Sequence, residues 1–355
     1  MKTFVFISKN YLRYFLILLV ALEAFFIGAD SIKYADKFPD SANLIVLFFF
    51  NDALYALNYT LPLSLLLGGI LFLITFLKSN QFGAMLALGF SKRQILLAPF
   101  VLSLLISCIY IALNATSFVY AQERVEAIID QNSLNNAQED ILLKHNHNYI
   151  YFQKIYPSLN QAKNIKIFTL DNQRLKSFIQ AETGVFDGRF WILKNAKIGQ
   201  ISATFSSQTN ALSFKKVESM KILENFKPKV LDTFLKDKPT ISIIDAIDSL
   251  KIHLEQGLDS TKIRAILYSA ILIPLFVPLT LVIFGYFIPS LPRYIKISLL
   301  SFKLIMISLV IWGIFFSVSK FSIGGIIYPE FGILLPMIVL CSVTLYCFAK
   351  LKNQI

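Results

Sequence analysis

The sequence predicts a membrane α+β fold: six transmembrane helices, three and three, with a β-rich domain inserted between the third and the fourth. Three observations predict it. Mean hydropathy is +0.61 and 55% of the residues are hydrophobic, 33 of the 355 being Phe, well beyond a soluble domain. Apolar runs of about 20 residues, the length that crosses a bilayer, occur six times. Between the third and fourth runs the periodicity changes from helical to alternating. The boundaries this sets are 1–118 for the first three helices, 119–260 for the inserted domain and 261–355 for the last three helices.

The six spans read as Tyr11 to Ala29, Ala53 to Leu77, Ile95 to Val119, Ile263 to Phe287, Ile297 to Val318 and Phe331 to Ala349. Lys2, Lys9 and Arg13 precede the first, as in a signal peptide, but the run is too long and Gly28-Ala29-Asp30 is a poor cleavage site. It reads as a retained helix. With the N-terminus inside, the cytoplasmic side receives Lys2, Lys9, Arg13, Lys78, Lys92, Arg93, Arg293, Lys296, Lys350 and Lys352 and no acidic residue. The insert from Val119 to Ser260 holds 18 basic and 16 acidic residues, so it is nearly neutral. The net charge of +12 therefore reports orientation and argues against a nucleic-acid partner.

Between spans two and three lies "SNQFGAMLALGFSKRQI", Ser79 to Ile95, too short to span and too apolar for a free loop. Phe82, Met85, Leu86 and Phe90 recur at helical spacing, which predicts a short surface helix near 79–92 whose apolar face something must receive. Packing against the protein's own helices is the competing reading.

Within the insert, "NYIYFQKI" and "NIKIFTL" alternate as strands. Asp171-Asn172 follows one strand, and Asp187-Gly188 separates "TGVF" from "RFWIL" as a hairpin signal, because Gly tolerates positive φ. Short strands with such turns point to a sandwich or jelly roll. Ile244, Ile247, Leu250 and Leu254 then share one face of an amphipathic helix that Gly257 stops, and "LPRYIKI" from Leu291 reads as a tight turn.

Several chemistries find no motif. No GxxxxGK[ST] loop, GxSxG elbow or HExxH motif occurs, so the chain is not expected to hydrolyse ATP or act as an enzyme. His145 and His147 lack a third ligand and read as a solvated loop. Cys108, Cys341 and Cys347 sit in apolar spans as small core residues. Glu23 and Lys303 are charges inside spans, at depths of about 20 Å and about 10 Å from the cytoplasmic ends. Lys303 can snorkel, whereas Glu23 needs a partner helix or a polar cavity.

The order and spacing of these segments resemble the LptF/LptG (YjgP/YjgQ) family of lipopolysaccharide-transport permeases over essentially the whole chain. Asn80, Gln81, Phe82, Ala84, Met85, Gly89, Phe90 and Ser91 are similar to that family's coupling helix, with Gln81 where the family has an acidic residue. "SIKYADKF" is similar to the end of the first helix in LptG, whose lipid-facing lysine falls on Lys33. "AETGVFDGRFWILKNAKI" resembles a jelly-roll hairpin, and "LDSTKIRAILYSAILIPL" and "GIIYPEFGILLP" resemble the starts of spans four and six.

What the resemblance implies is a non-catalytic permease, most like LptG, with both termini cytoplasmic in a bacterial inner membrane and a periplasmic jelly roll. Lys33, Lys37, Phe190 and Ile192 are its candidate lipopolysaccharide contacts, and Gln81, Phe82, Met85, Leu86, Gly89, Phe90 and Ser91 its ATPase-coupling set. The implied partners are an LptB-type ATPase dimer, which binds the ATP and Mg, an LptF-type permease and an LptC/LptA-type periplasmic bridge. This chain is expected to hold no cofactor or metal. A mechanotransmission subunit that moves no lipid and a membrane-anchored scaffold are the rival expectations.

Overall fold

The computed structural model describes residues 2–129, 138–145, 148–171, 174–201, 212–224, 226–228, 240–290 and 296–351. Asn172, His147 and the turn expected at Leu291 lie outside these. The chain divides into two units, one of 1–125, 242–244 and 261–355, the other of 126–241 and 245–260.

The first unit contains α1 (Lys2–Lys33), α2 (Ala42–Lys78), a short α3 (Gln81–Ala87) and α4 (Lys92–Asn114). Later in the chain come α7 (Thr261–Leu272), α8 (Phe276–Phe287), α9 (Ile297–Ile323) and α10 (Leu335–Lys350), after α5 (Ala121–Ile129) and α6 (Ile243–Gln256). Six helical segments are long and apolar enough to cross a membrane, three before and three after the strands in chain order. α7 and α8 make one of these through a 3-10 turn, and a π-helical turn at Glu330–Leu334 begins the last.

α1 and α2 pack antiparallel at close range. A Cβ on Gly68 would meet the Phe15 backbone at 2.9 Å, so the residue without a side chain lets the two backbones approach. Tyr11 donates to the Leu65 carbonyl at 3.1 Å beside it. One proline break is bridged from a neighbouring helix. Pro278 has no N–H to give the Pro274 carbonyl four residues before it, and Ser107 of α4 donates to that carbonyl at 3.0 Å. Buried Lys92 donates to the Ile288 carbonyl just past α8 at 2.8 Å. Of the three cysteines only Cys347 is buried; Cys108 and Cys341 lie on exposed helix faces, which a hydrocarbon surround accepts as readily as a core does.

The second unit holds one antiparallel sheet of six strands in chain order, β1 (Gln138–His145), β2 (Asn148–Tyr156), β3 (Gln161–Asp171), β4 (Arg174–Phe186), β5 (Trp191–Ile201) and β6 (Leu212–Ile222). The described strands therefore draw an up-and-down sheet rather than the crossed order of a jelly roll, because each pairs with its neighbour in chain order. At the expected hairpin the Asp187 carboxylate accepts from Phe190 N at 2.7 Å and Arg189 N at 2.9 Å, which holds it below the usual carboxylate range, and Gly188 has φ +99°.

A fault line crosses this sheet. The registers place Asp140, Gln153, Asn164, Glu182, Asn195 and Glu218 in one row, and every strand pairing skips that row. Asp140, Asn164 and Asn195, on alternate strands, have φ of 56°, 51° and 53°. Inward-facing parity changes there: Phe152 and Ile155 are both buried, as are Ala162 and Ile165, Ala181 and Gly184, Leu193 and Ala196. Each strand thus spends two successive polar residues on the outside and bends. Phe152 of β2 and Trp191 of β5 have ring centroids 5.5 Å apart. In a flat sheet, three strand spacings would separate them by about 14 Å, so the sheet curls around its apolar face. The Trp191 indole donates to the Phe226 carbonyl at 2.8 Å inside that core.

If the left-handed residues make the bend, Asn164→Val should destabilise the sheet by about 1–2 kcal/mol, the cost of a β-carbon in that conformation, while Asn164→Gly should be close to neutral. Thermal unfolding of the purified chain followed by circular dichroism measures this; equal transitions for both variants would show that the bend has another origin.

Candidate functional site

Two places carry the residues singled out in the sequence: the end of the α1–α2 pair and the turn from α2 to α4. On α1, Arg13 and Lys33 are separated by about 30 Å of helix, one hydrocarbon thickness. A helix that keeps Arg13 at one bilayer surface delivers Lys33 to the other.

Lys33 is exposed and donates to the Tyr34 hydroxyl at 2.9 Å, with its ammonium 4.4 Å from that ring's centroid. Lys37 is exposed in the 3-10 turn Ala35–Lys37 that follows. Buried Phe48 of α2 receives Tyr34 and Phe38 edge-on at 6.0 and 5.0 Å. Lys33 therefore stands over an aromatic floor.

Beneath that floor the helix pair is lined with polar groups. Phe26 packs on Tyr55 and Tyr59 at 5.9 and 5.6 Å, and the two tyrosine hydroxyls are 2.9 Å apart. Glu23, the charge that required a partner, accepts a hydrogen bond from Thr60, and its second oxygen is buried without one. Asp52 is fully buried, and the side chains of Asp30, Glu23 and Lys33 lie within electrostatic range of its carboxyl. Asp30, Asp52 and Thr60 escaped the sequence reading, which began the second span at Ala53. The visible signal was the run of polar residues from Asn51 to Thr60.

At the other end, Asn80 with φ 57° turns the chain into α3, and Gly89 with φ +85° turns it out. Ser91 then caps α4: its Oγ accepts from Gln94 N at 3.3 Å while Gln94 Oε1 accepts from Ser91 N at 3.0 Å. The predicted apolar face of α3 turns inward. Phe82 is 1% exposed and packs on Phe76 at 6.1 Å, and Met85, Leu86 and Phe90 are half-buried against the same core. What α3 presents outward is Gln81, Ala84 and Leu88, the last 76% exposed.

In the sheet, Trp191 and Leu193 point into the apolar core, so half-buried Ile192 lies on the opposite face. Phe190 belongs to the turn, its ring under Arg189 and Lys221 at 5.2 and 5.9 Å. Of the two candidate contacts, Phe190 thus precedes β5 and Ile192 faces away from the apolar core. Among the described residues no group of three metal-ligating side chains occurs.

The family model described as lipopolysaccharide export system permease LptF/LptG matches residues 5–350. The chain belongs to this family. A search of curated proteins found no match. As an LptF/LptG permease of lipopolysaccharide export, the chain is a multi-pass inner-membrane protein and a transporter subunit rather than a catalyst. Lys33 ends the first of the helices that precede the strands.

Thr60→Val removes the donor that Glu23 uses and should destabilise the permease by about 1–3 kcal/mol, the cost of a buried acceptor left unpaired. Adding Glu23→Leu should recover most of that loss. Thermal unfolding in detergent measures both, and additive losses would show that the two side chains do not depend on each other.

Proposed function

We propose that the chain is an LptG-like permease subunit of an ATP-driven lipopolysaccharide extractor. Six helices cross the inner membrane three and three, with both termini in the cytoplasm and the curled sheet, in the role of the family's jelly roll, in the periplasm. The observation that carries this reading is the family match over residues 5–350. Sorting of the basic residues to one side of the spans supports the orientation.

In this reading an LptF-type permease completes a heterodimer, and an LptB-type ATPase dimer binds ATP and Mg and engages α3. The contact is made by Gln81, Ala84 and Leu88, with Gly89 and Ser91 shaping the turn, while Phe82, Met85, Leu86 and Phe90 anchor α3 to the membrane helices. Movement of α3 is then transmitted directly into the core they share. Gln81 offers the ATPase a hydrogen bond in place of a salt bridge.

At the far surface, Lys33 and Lys37 meet the phosphates of lipopolysaccharide through charge-assisted contacts. Lys33 exchanges its Tyr34 partner for phosphate at little desolvation cost, since it is already exposed. The acyl chains pass along the β-sheet unit, with Phe190 and Ile192 as the candidate contacts, toward an LptC/LptA-type bridge.

Two substitutions test this with the purified complex. Leu88→Asp should abolish co-purification of the ATPase, because it puts a charge into an apolar contact, while leaving the fold intact; undiminished co-purification would remove α3 as the coupling element. Lys33→Glu should lower photo-crosslinking of lipopolysaccharide by about 10-fold or more, the equivalent of one lost charge-assisted contact, with the ATPase still bound. Undiminished crosslinking would take Lys33 out of the lipid path. An ATPase recovered without any lipopolysaccharide would instead favour a mechanotransmission subunit.

A further inference from the structure

α6, Ile243–Gln256, has its faces arranged against expectation. Ala246, Ser249, Ile252 and His253 are buried, and the His253 ring lies 2.9 Å from the Ser249 carbonyl. The opposite stripe is apolar yet open: Ile244 is 52%, Ile247 42% and Leu254 65% exposed, and Leu258, just past the helix, is 44% exposed. Lys251 sits in the middle of that stripe and is exposed. The acids of the first two turns are drawn aside, because Asp245 and Asp248 each accept from Lys227 at 2.9 Å.

Both ends of this helix are tied to membrane spans. Ser242, just before it, donates its N–H to the Tyr120 hydroxyl at 3.3 Å, and Tyr120 lies six residues past Asn114, the end of α4. After it, only 257–260 separate it from Thr261, where the next span begins. Those four residues reach at most about 14 Å. The end of one span and the start of the next lie on the same side of a bilayer, so a rod of about 21 Å is held at both ends close to one surface.

We propose that α6 is an interfacial helix. It lies in the headgroup layer on the side of the bilayer that carries the β-sheet unit, with Ile244, Ile247, Leu254 and Leu258 at the acyl boundary and Lys251 among the phosphates. Aliphatic side chains flanking a central lysine fit that layer, where apolar burial and attraction to anionic lipid add. Continuity with the spans at both ends favours lipid over a protein partner as the occupant.

The test uses the full chain with Cys108, Cys341 and Cys347 replaced by Ala, and single cysteines placed at 244, 247, 254, 258 and, as an exposed sheet control, 182. Each is nitroxide-labelled and reconstituted in phosphatidylethanolamine–phosphatidylglycerol vesicles. At the four helix positions, collisions with oxygen should exceed those with an aqueous nickel chelate several-fold, and position 182 should show the reverse. Chelate access at the helix equal to that at 182 would overturn the proposal, as would a stripe reached by neither reagent, which means protein covers it. The unlabelled natural chain provides a second readout: a phosphatidylethanolamine with a photoreactive headgroup should mark the 243–258 peptide. Adducts confined to the spans would overturn the proposal independently of any cysteine substitution.

Discussion

A backbone that enters hydrocarbon has to satisfy its polar groups within the protein, and the membrane unit is organised by that constraint. Where a helix runs unbroken it does so alone. Where Pro278 leaves the Pro274 carbonyl without its helical donor, a side chain from another helix, Ser107, takes over. Tyr11 on the Leu65 carbonyl and Lys92 on that of Ile288 belong to the same pattern of single donors crossing between helices. These bonds join α1 to α2 and α4 to the α7–α8 span and the residue after it. Gly68 against the Phe15 backbone shows how closely α1 and α2 approach, since no side chain fits between them.

Against this background the polar stripe between α1 and α2 is an exception. Glu23 accepts from Thr60 with one oxygen, and Asp52 is buried near Asp30. A buried carboxyl costs several kcal/mol if charged and unpaired. Lys33 lies within electrostatic range of Asp52. The helix end that carries Lys33 is thus also the end where the pair buries Asp52.

The sheet answers a different constraint with an equally local device. Water satisfies its outer face, so its problem is to close an apolar inner face without crossed connections. One row of residues in unpaired register, left-handed on alternate strands, bends all six strands together and brings β2 and β5 into ring contact. Asparagine and aspartate suit this row because their short polar side chains tolerate the left-handed region. Asn164 and Asn195 also donate to Gln153 and Glu182 beside them, at 2.6 and 2.9 Å.

By itself the sequence determined the number, order and approximate limits of the spans, the strand-rich insert and the Asp187-Gly188 hairpin. Apolar run length, period and turn chemistry are properties of contiguous residues, which is why these were legible. It also marked Lys33 as the cation at a helix end and Ser79 to Ile95 as a surface helix. Only the tertiary structure decided which face of each helix is inside. Periodicity shows that Phe82 and Met85, or Ile244 and Leu254, share a stripe, but not whether the protein or its surroundings will cover it. α3 turned its aromatic stripe inward and left Leu88 out, while α6 left its aliphatic stripe open. The partner of Glu23 and the fault line of the sheet were likewise invisible, because each depends on residues brought side by side from different segments of the chain.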